Sequence, residues 1–480
     1  MDALLSTGAI PAGGFPDYDI DHSIKMESDT PETLTRTPSS ASNQKTWTWS
    51  GWVKVTEPSH DLGTMWAGGT GSGDGSINFR IDNGQITVNT QSTALRATTA
   101  RFRDPASWYH FVLVMDTTQS TANNRVKIYV NGSQITDFST TNNPSQNADM
   151  GVNSAQLHAL GRRSNSNDRF FSGYMAEVNF VDGSAKSPTD FGRTNDNGVW
   201  IPKEYSGSYG TNGFYLNFET AADMGDDKSG NGHDFTENNI SAQDQAQDTP
   251  TNNFCTMNQN ARTNGNIRTQ EGGTRVSTDG GSGFCSMVAT MAVGAGKWYW
   301  EAKYHDHSGD TNSVYVGVAP TNDPYIPQRQ GGYYLGNVET AGSMGWYLND
   351  GANKNQNGSW GNPSYGDKLM FALDMDNYKL YYGINGTWGN SANPANGTGS
   401  VTSISNYWMA GVKDALTFVA PAITVYQGNY MRSFNFGGVC TWNDDISTAQ
   451  SDANGYGRFE YTPPTGFYAL CTKNLAQYGG

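Results

Sequence analysis

The chain has 480 residues, of which 36% are hydrophobic, 12% aromatic and 16% charged, and its net charge is −15. So many aromatics exclude a disordered chain, and 57 glycines with so few charges exclude a long helical bundle. The acidic balance, with no Lys/Arg run, argues against a nucleic-acid partner, and no apolar stretch approaches the 18 residues that membrane insertion needs.

An all-β chain with many Gly and Asn turns remains. We read it as two antiparallel β-sandwiches, each curled into a jelly roll, in series behind a short N-terminal arm. The start, Met1-Asp2-Ala3-Leu4-Leu5, lacks the basic and apolar regions of a signal peptide, so synthesis in a cytoplasm is expected. Residues 1–22 form the arm, with Leu4, Leu5, Ile10, Phe15 and Tyr18 as apolar islands in a Gly-, Pro- and Asp-rich setting. Such a segment orders only by packing on something else, which makes these five residues candidates for docking. Asp17, Asp19 and Asp21 alternate like the start of a calcium loop, but Ser28 stands where the twelfth-position Glu would be required.

Residues 23–218 read as the first sandwich. Thr46-Trp47-Thr48-Trp49-Ser50-Gly51-Trp52-Val53 has a period of two and directs Trp47, Trp49 and Trp52 to a core. Trp108–Val114 is a further strand. Asn83-Gly84 and Asn131-Gly132, each between alternating runs, predict tight hairpins. Gly173–Phe180 and Phe214–Phe218 complete the unit. Residues 219–254, rich in Asp, Gly, Asn and Gln, read as a linker.

Residues 255–480 read as the second sandwich, with strands at Lys297–Tyr304, Val314–Val318, Lys368–Asp376, Tyr378–Tyr382 and Arg432–Gly437. Asp116 and Asp374 each open a turn ahead of a strand that ends in Asn-Gly, a faint internal echo. Cys255, Cys285, Cys440 and Cys471 lack zinc-site spacing and read as buried thiols.

Aromatics beside Gly and Asn turns are the candidate binding residues: Trp66, Tyr333, Tyr334, Trp346, Trp360 and Trp388. A flat ring with an amide or carboxylate nearby suits the apolar face and hydroxyls of a sugar. Trp346, Asn349, Asp350, Asn385 and Trp388 have that composition and are the candidate glycan site. No catalytic group is expected. A retaining glycosidase needs two carboxylates about 5–5.5 Å apart, and Glu177-Val178-Asn179 offers Asn where the second would stand. His305 and His307 alternate around Asp306, too sparse a set for a metal, and no cofactor is expected.

The first sandwich resembles the concanavalin A-like, laminin-G-like jelly rolls through Thr46–Lys54, Trp108-Tyr109-His110, Ile128–Gly132 and Tyr174–Val178. The second resembles a SPRY domain through Gly296–Glu301, Val316–Ala319, Gly366-Asp367 leading to Ala372–Asp376, and Asn435-Phe436-Gly437. The two in series, with Asn197–Lys203, Thr249–Phe254 and Pro463–Thr472, resemble virion proteins of marine tailed bacteriophages. That resemblance implies a noncatalytic structural protein of the virion, assembled in the host bacterial cytoplasm. A tail fibre or tail-associated, glycan-binding adhesin is the leading expectation, and a capsid-surface decoration or head-fibre protein the alternative. A lectin-fold glycoside hydrolase is the second alternative. The implied partners are tail, portal-proximal or capsid proteins, host surface glycans, and two further copies of the chain in a trimer.

Overall fold

The computed structural model describes residues 18–57, 63–263, 266–278, 284–304, 314–320, 335–340, 343–348, 354–356, 366–400, 402–403, 418–426, 431–439, 442, 446 and 448–479. Leu4, Leu5, Ile10 and Phe15 lie outside these residues, as do Cys440, His305 and His307. The fold is all-β, with one short helix, Thr472–Tyr478, among the described residues. That helix is not long and apolar enough to cross a membrane. The chain divides into compact units, the first Gly14–Asn252 and the second containing Asn253–Gly480.

In the first unit, one eight-stranded sheet has at its centre Trp108–Asp116, Thr46–Val55, Gly173–Asp182 and Ser23–Met26, side by side and antiparallel. The other runs through Ala94–Arg101, Gln85–Asn89, Ile77–Asp82, Gly63–Gly68, His158–Leu160, Thr33–Arg36 and Thr236–Asn238. Trp47, Trp49, Phe111, Leu113 and Phe180 of the first sheet meet Trp66, Phe79, Val88 and Leu160 of the second in one core. Trp66, a candidate binding residue by sequence, is fully buried, its ring 5.4 Å from Trp47 and 5.1 Å from Phe180.

Three Asn-Gly turns form as their sequence predicts. Asn83, Asn131 and Asn385 have φ of 45°, 47° and 48°, and the following glycines 76°, 80° and 82°. Two consecutive positive φ values match the right-handed twist of the flanking strands, and glycine adopts the second without strain. The echo between the halves is therefore real at the level of strand pairing: Trp108–Asp116 with Val126–Val130, and Lys368–Asp374 with Lys379–Ile384.

Two readings of this unit need correction. Trp52 is buried, but on the opposite face of its strand from Trp47 and Trp49. Strand parity puts positions 47, 49, 53 and 55 in the core and 48, 50, 52 and 54 outside it. Trp52 stacks on His110 at 4.9 Å and packs with Ile20 and Ala176. The outer face of the sheet is buried too, because residues 184–210 cover it: Phe191 and Tyr205 pack on Val112, Val114 and Val181.

Residues 219–254, expected as a linker, are part of this unit instead. Thr236–Asn238 pairs with Thr33–Arg36, and Gln245–Ala246 pairs with Ser23–Met26, so this segment adds an edge strand to each sheet. Phe235, Met224 and Ala246 are buried there. Part of the presumed free arm belongs to this unit as well. Ile20 is buried against Trp52, its N–H donates to Thr251 Oγ1 at 3.0 Å, and Tyr18 donates to Glu177 at 3.0 Å. Tyr18 is thus engaged within the chain rather than presented for docking.

Among its described residues, the second unit has a seven-stranded and a nine-stranded sheet. The centre of the larger is Met431–Asn435, Lys297–Tyr304, Lys368–Asp374 and Lys379–Ile384, all antiparallel. The short strand Tyr468–Ala469 departs from the expected antiparallel rule and runs parallel to Lys297–Tyr304. Trp298, Trp300, Phe371 and Leu373 point into the core. Tyr299, Met370 and Tyr381 point outwards and are covered by Phe459 and Phe467 of the C-terminal segment. Cys255, Cys285 and Cys471 are buried thiols, as their spacing predicts.

Candidate functional site

Of the predicted glycan site, only Asn385 and Trp388 have described side chains. Trp346 lies on Ser343–Leu348 in the seven-stranded sheet, whereas Trp388 ends Thr387–Trp388 in the nine-stranded one. Asn349, Asp350, Tyr333, Tyr334 and Trp360 fall outside the described residues. Asn385 is exposed, but its side chain is spent on its own hairpin: Oδ1 accepts from the Lys368 N–H at 2.9 Å and Nδ2 donates to Asp367 at 2.6 Å. Trp388 is half-buried, edge-on to Tyr299 with ring centroids 6.4 Å apart. Its role there is packing. Trp388→Ala is therefore expected to cost the second unit about 1–2 kcal/mol, below the 3–5 of a fully buried Trp. Chemical denaturation measures this, and an unchanged midpoint would show that the ring contributes nothing to the fold.

Glu177 is the residue nearest to a glycosidase carboxylate, and the structure closes it off. The register between Gly173–Asp182 and Thr46–Val55 shifts between Ala176 and Asn179, a bulge that interrupts the period-two spacing. Glu177 sits in the bulge with φ +50°, a conformation that costs a non-glycine residue about 1–3 kcal/mol. Tyr215 donates to its Oε1 at 2.7 Å and Tyr18 to its Oε2 at 3.0 Å. Burial pushes its pKa up to about 7 against these two stabilising bonds. Asn179, beside it, accepts from Tyr209 at 2.8 Å. Phe191, Pro202 and Lys203 close over the space between them.

His110 completes this sealed cluster. Trp200 Nε1, which only donates, lies 3.1 Å from His110 Nδ1, so Nδ1 is the acceptor and the proton sits on Nε2, 2.8 Å from Ser50 Oγ. Burial lowers its pKa to about 3, so the ring is neutral at physiological pH. A neutral, fully bonded histidine beneath a tryptophan is an internal strut. Among the described residues, no three or more His, Cys, Asp or Glu side chains are grouped to hold a metal ion.

Among the described residues, a groove that a ligand can reach lies elsewhere on the first unit. Its volume is about 370 Å³, and it is lined by Pro31, Thr33, Arg162, Asn167 and Phe170 with Asn238 and Asn239. Three pieces of chain build it. Thr33 begins a strand paired on one side with His158–Leu160 and on the other with the edge strand that ends at Asn238. The loop after Leu160 turns at Gly161, φ +85°, where a Cβ would stand 2.8 Å from the Glu32 carbonyl oxygen. The loop returns through an N–H of Phe171 on the Gly161 carbonyl at 2.9 Å. Phe171 is thereby buried in the core while Phe170 stays half-exposed at the groove.

Asn238 Nδ2 donates to Thr33 O and Thr35 Oγ1 at 3.2 and 3.1 Å, and Asn239 Nδ2 donates to Pro31 O at 2.9 Å. Both amide groups are held in place, and neither Oδ1 takes a bond from a described residue. Arg162 donates from Nη1 to Asn167 Oδ1 at 2.8 Å. Its Nε is shielded from water and has no partner among the described residues. Burial lowers its pKa from the usual guanidinium value. An aromatic face with fixed amide acceptors and an under-used guanidinium matches what holds a sugar ring and its substituents.

Residues 29–214 match the family model of the concanavalin A-like lectin/glucanases superfamily. Pro31, Thr33, Arg162, Asn167 and Phe170 fall inside that segment, and Asn238 and Asn239 outside it. No curated protein matches the chain. Among solved structures, the human HERC1 SPRY domain is 16% identical, covers 37% of this chain and 96% of its own, and has a TM-score of 0.27. A putative carbohydrate binding protein from Bacteroides ovatus is 17% identical over 47% of this chain and 60% of its own, TM-score 0.31. Domains LG4-5 of the mouse laminin alpha1 chain are 9% identical over 86% and 84%, TM-score 0.29.

Sequence reasoning missed this groove because its residues come from segments some 70 to 130 positions apart. The available signals were Asn238-Asn239 and the basic island Arg162, Arg163 and Arg169 in an acidic chain.

Proposed function

We propose that this chain is a noncatalytic glycan-binding protein of a tailed-bacteriophage particle, in a tail-fibre or tail-associated position. The observation that carries the binding part is the groove of Phe170, Arg162, Asn238 and Asn239 on a jelly roll whose sequence matches a lectin/glucanase family. The burial of Glu177, with its two oxygens taken by Tyr215 and Tyr18, supports the noncatalytic part. The virion assignment rests on the sequence resemblance of the two sandwiches in series. Partner proteins of the tail or capsid, host surface glycans and a trimeric state belong to the same reading. A shallow site of this kind gains from repetition, because linked copies raise avidity by about 10²–10⁴.

The test joins particle composition to competition. Purified particles are expected to contain the chain, and the soluble chain is expected to bind host surface polysaccharide and to reduce particle adsorption. Incorporation without competition would overturn the adhesin reading in favour of a capsid-decoration role. Absence from particles would overturn the virion assignment.

A further inference from the structure

The loop that forms one wall of the groove has a charge opposite to that of the rest of the chain. Residues 161–170 carry Arg162, Arg163 and Arg169 against Asp168 alone, so three positive charges less one negative give +2 within ten residues of a −15 chain. Asp168 is already committed to Arg163, whose Nε and Nη2 grip both of its oxygens. Arg80 joins the group. Its pKa is lowered to about 10, first by burial and next by the charge of Arg169, with Asp82 and Asp168 only partly opposing this. Like charges gathered in a partly dehydrated place are unfavourable unless an anion offsets them. Arg162, the member that lines the groove, makes one neutral hydrogen bond, from Nη1 to Asn167, and its Nη2 has no partner among the described residues.

We propose that this groove binds an acidic sugar residue, its carboxylate or sulfate paired with the Arg162 guanidinium and its ring against Phe170. The proposal rests on the glycan-binding reading above and specifies the ligand class. Guanidinium is suited to the task because its fork of donors matches a planar carboxylate or a sulfate edge. Asn238 and Asn239 Oδ1 would accept from ring hydroxyls, which gives the site a preference for a sugar over a simple anion.

The test uses the full chain in affinity electrophoresis or calorimetry with three probes: polygalacturonate, dextran sulfate and neutral dextran. Binding of polygalacturonate, of dextran sulfate or of both, well above dextran, is expected. The first two distinguish carboxylate from sulfate. Arg162→Gln should weaken that binding about 10-fold or more. Arg162→Lys should retain part of it, and Lys127→Gln, a charge removed elsewhere on the unit, should leave it unchanged. Melting temperatures of all variants should agree closely, because the one bond of Arg162 is to an exposed Asn167. Equal binding of neutral and acidic probes would overturn the acidic preference and leave the glycan-binding reading intact. Equal losses in Arg162→Gln and Lys127→Gln would show diffuse charge attraction and overturn the site. Binding of none of the three probes, with host polysaccharide also unbound, would overturn the glycan-binding reading itself.

Discussion

Lys54→Met is expected to destabilise the first unit by about 3–5 kcal/mol. Lys54 lies on the outer face of Thr46–Val55 and is fully buried. Its Nζ is 2.6 Å from Asp248 Oδ2, and both side chains are almost wholly shut off from water. Asp248 Oδ1 accepts from Trp108 Nε1 at 2.9 Å, and its carbonyl accepts from Ser23 Oγ at 2.6 Å. The Tyr174 ring lies 5.7 Å from the ammonium group. One ion pair therefore fastens the end of the 219–254 segment to the central strand, 194 residues away. Removing the cation strands a buried carboxylate, which is the costly way to break such a pair. At about 2–4 °C per kcal/mol for a unit of this size, the melting temperature should fall by about 6–20 °C. Lys54→Met combined with Asp248→Leu should recover much of the loss, since an apolar pair of similar volume carries no stranded charge. A single-variant loss under about 1 kcal/mol would show that water reaches the pair.

The second large effect is expected at Glu301. This residue of Lys297–Tyr304 is fully buried and accepts four hydrogen bonds. They come from Tyr299 Oη at 2.9 Å, Asn435 Nδ2 at 3.1 Å, and the backbone N–H groups of Glu460 and Tyr461 at 3.0 and 2.8 Å. Through the last two it fastens the C-terminal segment that places Phe459 and Phe467 over Tyr299. Glu301→Leu leaves four donors without an acceptor. Each such group costs about 1–3 kcal/mol, and with partial relaxation of the segment a net loss of about 3–5 kcal/mol is expected. Proteolysis should then cleave between residues 445 and 467 before the rest of the unit. A variant with native stability and native cleavage would refute the anchoring role.

Glu301 also makes stability depend on pH. Burial raises its pKa from 4.5 to about 7, and the four bonds only partly offset this. The unfolded chain releases the proton near 4.5 while the folded chain holds it to about 7, so stability declines as pH rises through that window. The shift corresponds to a loss on the order of 3 kcal/mol, at about 1.4 kcal/mol per unit. Glu177, raised in the same direction by burial, adds a loss of the same sign in the first unit. In Glu301→Leu the contribution of the second unit should vanish and its stability profile flatten between pH 4.5 and 7.

Strands with a clear alternation were legible in sequence. Thr46–Val55 and Lys297–Tyr304 occur where the pattern put them, and the Asn-Gly turns close the hairpins they signal. What was not legible has one physical root. Alternation implies one face buried and the other wet, but in both units a covering segment buries the outer face as well. Trp52, Lys54, His110, Glu177 and Glu301 are all on such faces, and nothing local to them announces the cover. The segment 219–254 hides its strands for a related reason. Its edge strands are two or three residues long, too short to show a period, and their polar side chains resemble a linker. The groove escaped because strand pairing, and not sequence proximity, brings Thr33, Arg162 and Asn238 together.

Hydrogen–deuterium exchange of the full chain, with and without saturating acidic polysaccharide, tests the central claim most directly. Ligand is expected to slow exchange in residues 31–36, 161–171 and 236–239, and to leave residues 383–388 unchanged. Slowed exchange confined to 383–388, or no slowing at the groove at a concentration where binding is established, would contradict it.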